Sequence, residues 1–193
     1  MGGLINVFLA SVLTHNIALT YILGMCPLIA ISKNLKTAKG MGISVIAVIT
    51  ITGTINWPIY RFLKNNGAET LSLLVFIITI AATVQILELL LDKFSPALYN
   101  AFGIFLPLIT VNCAVLAVSL FMVNRTFTFL ETVFFSFGSG VGWALAITLI
   151  AAIREKMALS SKVPSGLEGA GIVMVIAGII SLSFIGFGGI VNF

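Results

Sequence analysis

Charge is scarce in this sequence. Of 193 residues, six are Asp or Glu and ten are Lys or Arg, so charged side chains make up 8% of the chain, against about 25% in an ordinary soluble domain. That excludes a soluble globular domain with a water-facing surface. The net charge of +4 does not mark nucleic-acid binding, because the basic residues lie in short loops beside apolar stretches rather than on one soluble face. Histidine occurs once, at His15, and cysteine twice, at Cys26 and Cys113. There is no Gly-rich phosphate loop, no Cys-x-x-Cys pair and no His-Glu-x-x-His, so nucleotide, flavin and zinc chemistry would belong to other chains.

What is present is apolar: 60% of the residues are hydrophobic. A bilayer core of about 30 Å needs about 20 apolar residues per helix, and such runs recur six times, at about 4–31, 41–60, 71–91, 101–123, 132–153 and 170–191. The expected fold is an all-α membrane protein of six transmembrane helices forming one integral domain over residues 1–193. The first run lacks a basic leader and a small-residue cleavage site, so it reads as a retained helix. Lys33, Lys36, Lys39, Lys93, Arg154, Lys156 and Lys162 fall on one side and Arg61, Lys64 and Arg125 on the other. That bias of seven to three places both termini on the non-cytoplasmic side. Six spans divide into three and three, which makes the halves, about 1–95 and 96–193, an inverted repeat.

The polar residues inside the spans are the candidates for function. The first span carries Thr14, His15 and Asn16 near its middle, then Gly24 and Pro27 flanking Cys26, which predicts a break near Cys26. The fourth carries Pro107, Asn112 and Cys113. These two interrupted spans are equivalent in the three-plus-three division, the pattern that points to a site near the bilayer midplane. His15 reads as a histidine satisfied inside the bundle, with Asn16 its natural partner, and secondarily as an ion or proton ligand. Glu88 in the third span is an intramembrane ionisable group or an interfacial one beside Asp92 and Lys93. With Asn112, these complete a candidate ion path. Asn56, Trp57 and Pro58 are expected to close the second span, Trp57 and Tyr60 to join an interfacial aromatic belt, and 61–70 to form a turn. Gly138, Gly140 and Gly142 read as close helix packing before irregular backbone, and Arg154 to Lys156 as the end of the fifth span.

The two thiols admit three readings. Free cysteine is often a small buried hydrophobe. A disulfide between them has little loop to constrain within a bundle. Metal ligation is attractive because both sit where a helix breaks and backbone N–H groups are free, but an iron–sulfur cluster takes four cysteines and this chain has half that number.

The runs LGMCPLIAISKNLKTAKGMG (Leu23 to Gly42), GIFLPLITVNCAV (Gly103 to Val115), FGSGVGWALAI (Phe137 to Ile147) and IREKM (Ile153 to Met157) resemble the membrane subunits of two respiratory ion pumps. These are the sodium-translocating NADH:quinone oxidoreductase, Nqr, and its relative Rnf. ITGTINW (Ile51 to Trp57) is more similar to the Nqr type, and His15 departs from the acidic or asparagine residue expected there. The resemblance implies a [2Fe–2S] cluster shared with a homologous membrane subunit of opposite orientation, with Cys26 and Cys113 as this chain's two ligands. It also implies FAD, FMN and riboflavin in other subunits, electron transfer from NADH, or ferredoxin in Rnf, and coupled Na+ translocation. The acceptor would be ubiquinone and the location the inner membrane of a bacterium. A non-redox transporter or channel would use inverted repeats and broken helices equally well.

Overall fold

The computed structural model describes residues 2–94, 107–160 and 169–186. The loop at 95–100, the start of the fourth span at 101–106, Lys162, Pro164, Gly166 and the end of the sixth span with Phe187 lie outside the described residues.

The helices are α1 (Gly2–Val12), α2 (Met25–Ile31), α3 (Leu35–Asn65), α4 (Ser72–Phe94), α5 (Pro107–Thr110), α6 (Cys113–Asn124), α7 (Phe129–Ser160) and α8 (Ala170–Ile185). No strand occurs among the described residues. The stretches Leu35–Asn65, Glu69–Leu90, Pro107–Asn124 and Phe129–Leu159 are long and apolar enough to cross a membrane, and Ala170–Ile185 is a shorter apolar helix. The protein is therefore an all-helical, multi-pass membrane protein.

Three expected boundaries are corrected. α3 and α7, at 31 and 32 residues, run well past the apolar spans predicted at 41–60 and 132–153. At 1.5 Å per residue each is about 46–48 Å long, against a bilayer core of about 30 Å. Lys36, Lys39, Arg61, Lys64 and Arg154 to Lys156 are thus helical rather than loop residues, and Pro58 lies inside α3 rather than at its exit. Hydropathy marks where the bilayer ends; the helix ends where its hydrogen-bond ladder does, and Lys, Arg and Glu are good helix formers. The third correction is the break in the first span. It is not confined to Cys26: α1 stops at Val12 and residues 13–24 are non-helical.

α3 and α7 form the centre, through Met41, Val45, Val48, Trp143, Ile147 and Ile150, all fully buried. Small residues bring them close. A Cβ on Gly140 would stand 2.9 Å from Ile46 Cα, and one on Gly42 would stand 3.0 Å from Ala144 Cβ. Gly138 and Gly142, one turn apart on α7, face α1 instead: a Cβ on Gly142 would lie 3.2 Å from Ser11 O and Val12 O. The glycine run is thus a packing device serving two neighbours from two faces, since lipid offers no hydrophobic drive and backbones gain by close approach. α4 and α8 lie outside, with Leu74, Ile78 and Leu89 of α4 and Ile179 and Leu182 of α8 exposed.

Candidate functional site at the two helix breaks

Within a bilayer, non-helical backbone persists only where its polar groups find partners. In the first break Asn16 supplies them. Its Nδ2 donates to Val12 O at 3.1 Å and to Gly142 O of α7 at 2.9 Å, and its Oδ1 accepts from Ala18 N at 3.0 Å. The Ser181 hydroxyl of α8 donates to Leu19 O at 2.7 Å. Ile17, Ala18 and Leu19 are buried accordingly. Asn16 is therefore spent on the backbone, and the partner of His15 is not Asn16, as expected from sequence, but Tyr21, with Nδ1 and the phenol oxygen 3.3 Å apart.

The break ends in two left-handed residues, Ile22 at φ 55° and Gly24 at φ 79°. A β-branched residue is strained there. Gly24 precedes α2 directly, and glycine is required twice over. Its φ is positive, and a Cβ would run into Trp143 Nε1 and lie 2.9 Å from Asn112 Oδ1 and 3.2 Å from Ala114 Cβ. Cys26 follows in the first turn of α2. At the other end of α2, the Arg154 guanidinium donates to Ser32 Oγ at 2.6 Å and Ile29 O at 3.5 Å, a cation on the carbonyl end of the helix.

The second break is short. After the single turn of α5, Asn112 turns extended and caps α6, its Oδ1 accepting from Ala114 N at 3.0 Å. Cys113 is the first residue of α6. Its Sγ accepts from Gly24 N at 2.9 Å, so the second break's thiol rests on the first break's backbone, two residues from Cys26. Both thiols are free and exposed. Neither is packed in the core, which counts against a purely packing role.

Trp143 Nε1 and Asn112 Oδ1 stand beside Gly24, and Trp143 Nε1 and Asn112 Nδ2 are buried donors with no acceptor among the described residues. A group bearing negative charge on sulfur suits that setting, since hydrogen bonds to sulfur are among the levers that tune iron–sulfur centres. Cys26 and Cys113 are the residues that would hold half of a thiolate-ligated cluster in that setting. Among the described residues no group of three or more His, Cys, Asp or Glu is placed to hold a metal, so the remaining ligands would come from another chain.

The other predicted site residues divide. Asn112 joins the cysteines as the cap that sets Cys113. His15 belongs to the same first break but lines a small space of about 10 Å³ with Tyr21, Phe121 and Arg125. Glu88 stands half-buried on α4, and no described contact brings it to the breaks. Three site residues escape sequence reasoning: Asn16 as a backbone tie, Gly24 as the seat of Cys113, and Trp143 as its neighbour. The Gly before Met-Cys-Pro is a signal for the second, and the third lies in the FGSGVGWALAI run, which does not give its contact with Gly24.

Comparison with known proteins bears on this arrangement. A family model described as "Rnf-Nqr subunit, membrane protein" matches residues 4–191. The chain belongs to this Rnf-Nqr family. It is 50% identical over 201 residues to the E subunit of the Na(+)-translocating NADH-quinone reductase of Maridesulfovibrio salexigens, covering 98% of this chain and 99% of that one. To the protein of the same name from Methylococcus capsulatus it is 51% identical over 201 residues, with the same coverage. To that of Rhodopirellula baltica it is 50% identical over 207 residues, covering 96% and 97%. These Rnf-Nqr relatives are named as subunits of an oxidoreductase complex.

Proposed function

We propose that this chain is the E-type membrane subunit of a Na+-translocating NADH:quinone oxidoreductase, and that Cys26 and Cys113 supply two of the four thiolates of a [2Fe–2S] cluster. A homologous subunit facing it in opposite orientation supplies the other two. The observation that carries the reading is the Gly24 N–H donated to Cys113 Sγ at 2.9 Å, which brings one exposed thiol to the backbone two residues from the other. The names of the relatives support the Nqr assignment over Rnf. When bound, such a cluster supplies a one-electron relay within the bilayer between flavins held by other subunits, FAD, FMN and riboflavin.

The residues of this chain hold and orient. Asn112 starts α6 at Cys113, Gly24 lets the two breaks touch, Asn16 anchors the first break to α7, and Arg154 clamps the far end of α2. The paired breaks and the matched lengths of α3 and α7 support the three-plus-three inverted repeat. The basic residues flanking the apolar spans support an orientation with both termini outside the cytoplasm, and the membrane is the inner membrane of a bacterium. In this reading His15, Asn112 and Glu88 are tested as ion-path residues only after the cysteines.

Replacing Cys26 or Cys113 by serine keeps the volume but removes the soft thiolate. In the purified complex the cluster's paramagnetic resonance signal and quinone reduction should be lost together. NADH oxidation by an artificial acceptor should persist. A wild-type signal with full quinone reduction in both variants would make the thiols packing residues and end the proposal.

A further inference from the structure

The C-terminal end of α3 carries a second built feature, remote from the cysteines in sequence. Trp57, Tyr60, Arg61 and Lys64 follow at spacings of three, four and seven, one face of the helix. With Thr126 and Phe127, from the turn after α6, they line a cavity of about 260 Å³. Its walls are fixed. The Trp57 indole N–H donates to Phe127 O at 2.9 Å, and its ring meets Phe129 edge-on at 5.3 Å. Tyr60 stands 6.4 Å from Phe76 of α4, ring to ring.

The cations are placed but not neutralised. The Arg61 guanidinium lies over the Trp57 ring at 4.9 Å. Stacking covers its face and leaves its in-plane N–H donors open, and no acceptor engages them among the described residues. Lys64 Nζ lies 6.0 Å from the Tyr60 ring centre and 4.0 Å from Glu69 Oε1, both partners about half exposed, so that ion pair is weak. Of the carboxylates on neighbouring segments, Glu131 is committed to the Thr128 N–H and hydroxyl. A guanidinium with a free planar fork beside an ammonium suits a phosphate, two of whose oxygens it can engage at once. The surroundings select a lipid over a soluble anion. The pocket sits where the apolar part of α3 gives way to charge, and α4, which begins beside it, exposes Leu73, Leu74 and Ile77.

We infer that this pocket binds the phosphate headgroup of an anionic glycerophospholipid, with Arg61 as the main contact, Lys64 as support and the acyl chains along α4. The inference stands apart from the cluster reading.

The test uses the purified, delipidated complex titrated with phosphatidylglycerol or phosphatidylcholine, with lipid adducts on this chain read by native mass spectrometry. A basic residue near a membrane surface contributes about 1 kcal/mol to anionic-lipid binding, about fivefold in affinity. Arg61→Gln should therefore weaken phosphatidylglycerol binding at least about fivefold, and Arg61→Gln with Lys64→Gln should weaken it further, to at most about 25-fold. Arg61→Lys should retain part of it, and Lys36→Gln, at the other end of α3, should change nothing. Both arginine and lysine are exposed, so these variants should fold. Equal binding of the two lipids, or unchanged affinity in the double variant, overturns the inference. Displacement of the lipid by inorganic phosphate at equal potency overturns it in favour of a free-anion site.

Discussion

The two helix breaks use one device to different ends. In each, an asparagine Oδ1 accepts the backbone N–H two residues on, Asn16 from Ala18 and Asn112 from Ala114, both at 3.0 Å. The first break is long, at residues 13–24, and cross-linked: Asn16 ties it to α7 and Ser181 ties it to α8. The second, at 111–112, is a simple cap whose Nδ2 has no partner among the described residues. The longer break is thus a platform, and the shorter one sets a thiol on it. Two breaks that meet need not be equally rigid: one can carry the structure on which the other's thiol is aligned.

Breaking the contact between them should have the largest effect. Gly24→Ala adds a Cβ that collides with Trp143 Nε1 and crowds Asn112 and Ala114, at a backbone conformation that is left-handed. The left-handed penalty is about 1–2 kcal/mol and overpacking adds about 1–3 kcal/mol. We expect loss of the proposed cluster and a lowered thermal inactivation midpoint in the purified complex; a wild-type melt would show that the breaks do not touch as described.

The asymmetry itself is tested by Asn16→Ala against Asn112→Ala. The first leaves buried acceptors and donors of the break unpaired, at about 1–3 kcal/mol for each group left unsatisfied. The second loses one cap, about 1 kcal/mol. Thermal inactivation of the complex should fall clearly further for Asn16→Ala. Equal losses would mean that the first break is no better anchored than the second.

The smallest effect on the thiol site is expected from Ser181→Ala, which removes a hydrogen bond to Leu19 O that has no counterpart at the second break among the described residues. About 0.5–1.5 kcal/mol of stability should go, with cluster content unchanged. Loss of cluster in this variant would make α8 part of the site's support rather than an outer tie.

Much of the site is legible in the sequence because its residues are those that interrupt an apolar helix. Cys26 beside Gly24 and Pro27, and Cys113 after Pro107 and Asn112, declare themselves against a background of Leu, Ile and Val. The packing role of Gly138, Gly140 and Gly142 is legible too, because small residues in a span have few other uses. The extent of the first break is not. Thr14, His15 and Asn16 stand out, but adjacency pairs His15 with Asn16, whereas Asn16 bonds to Gly142 on α7, far along the chain. Nor are the ends of α3 and α7, where Lys36, Arg61 and Lys156 continue the ladder beyond the apolar core.

By itself, then, the sequence determined that this chain crosses a membrane several times, which spans are interrupted and where its two thiols lie, because apolar length and the chemistry of Gly, Pro and Asn act locally. Only the tertiary structure decided that a thiol of one break accepts the N–H of the other, that Gly24 must lack a side chain, and that Arg61 lies on Trp57 beside an open pocket. Those facts are contacts between helices. Hydrogen-bond partners distant in sequence are fixed by how the helices pack, which no single stretch of the chain encodes.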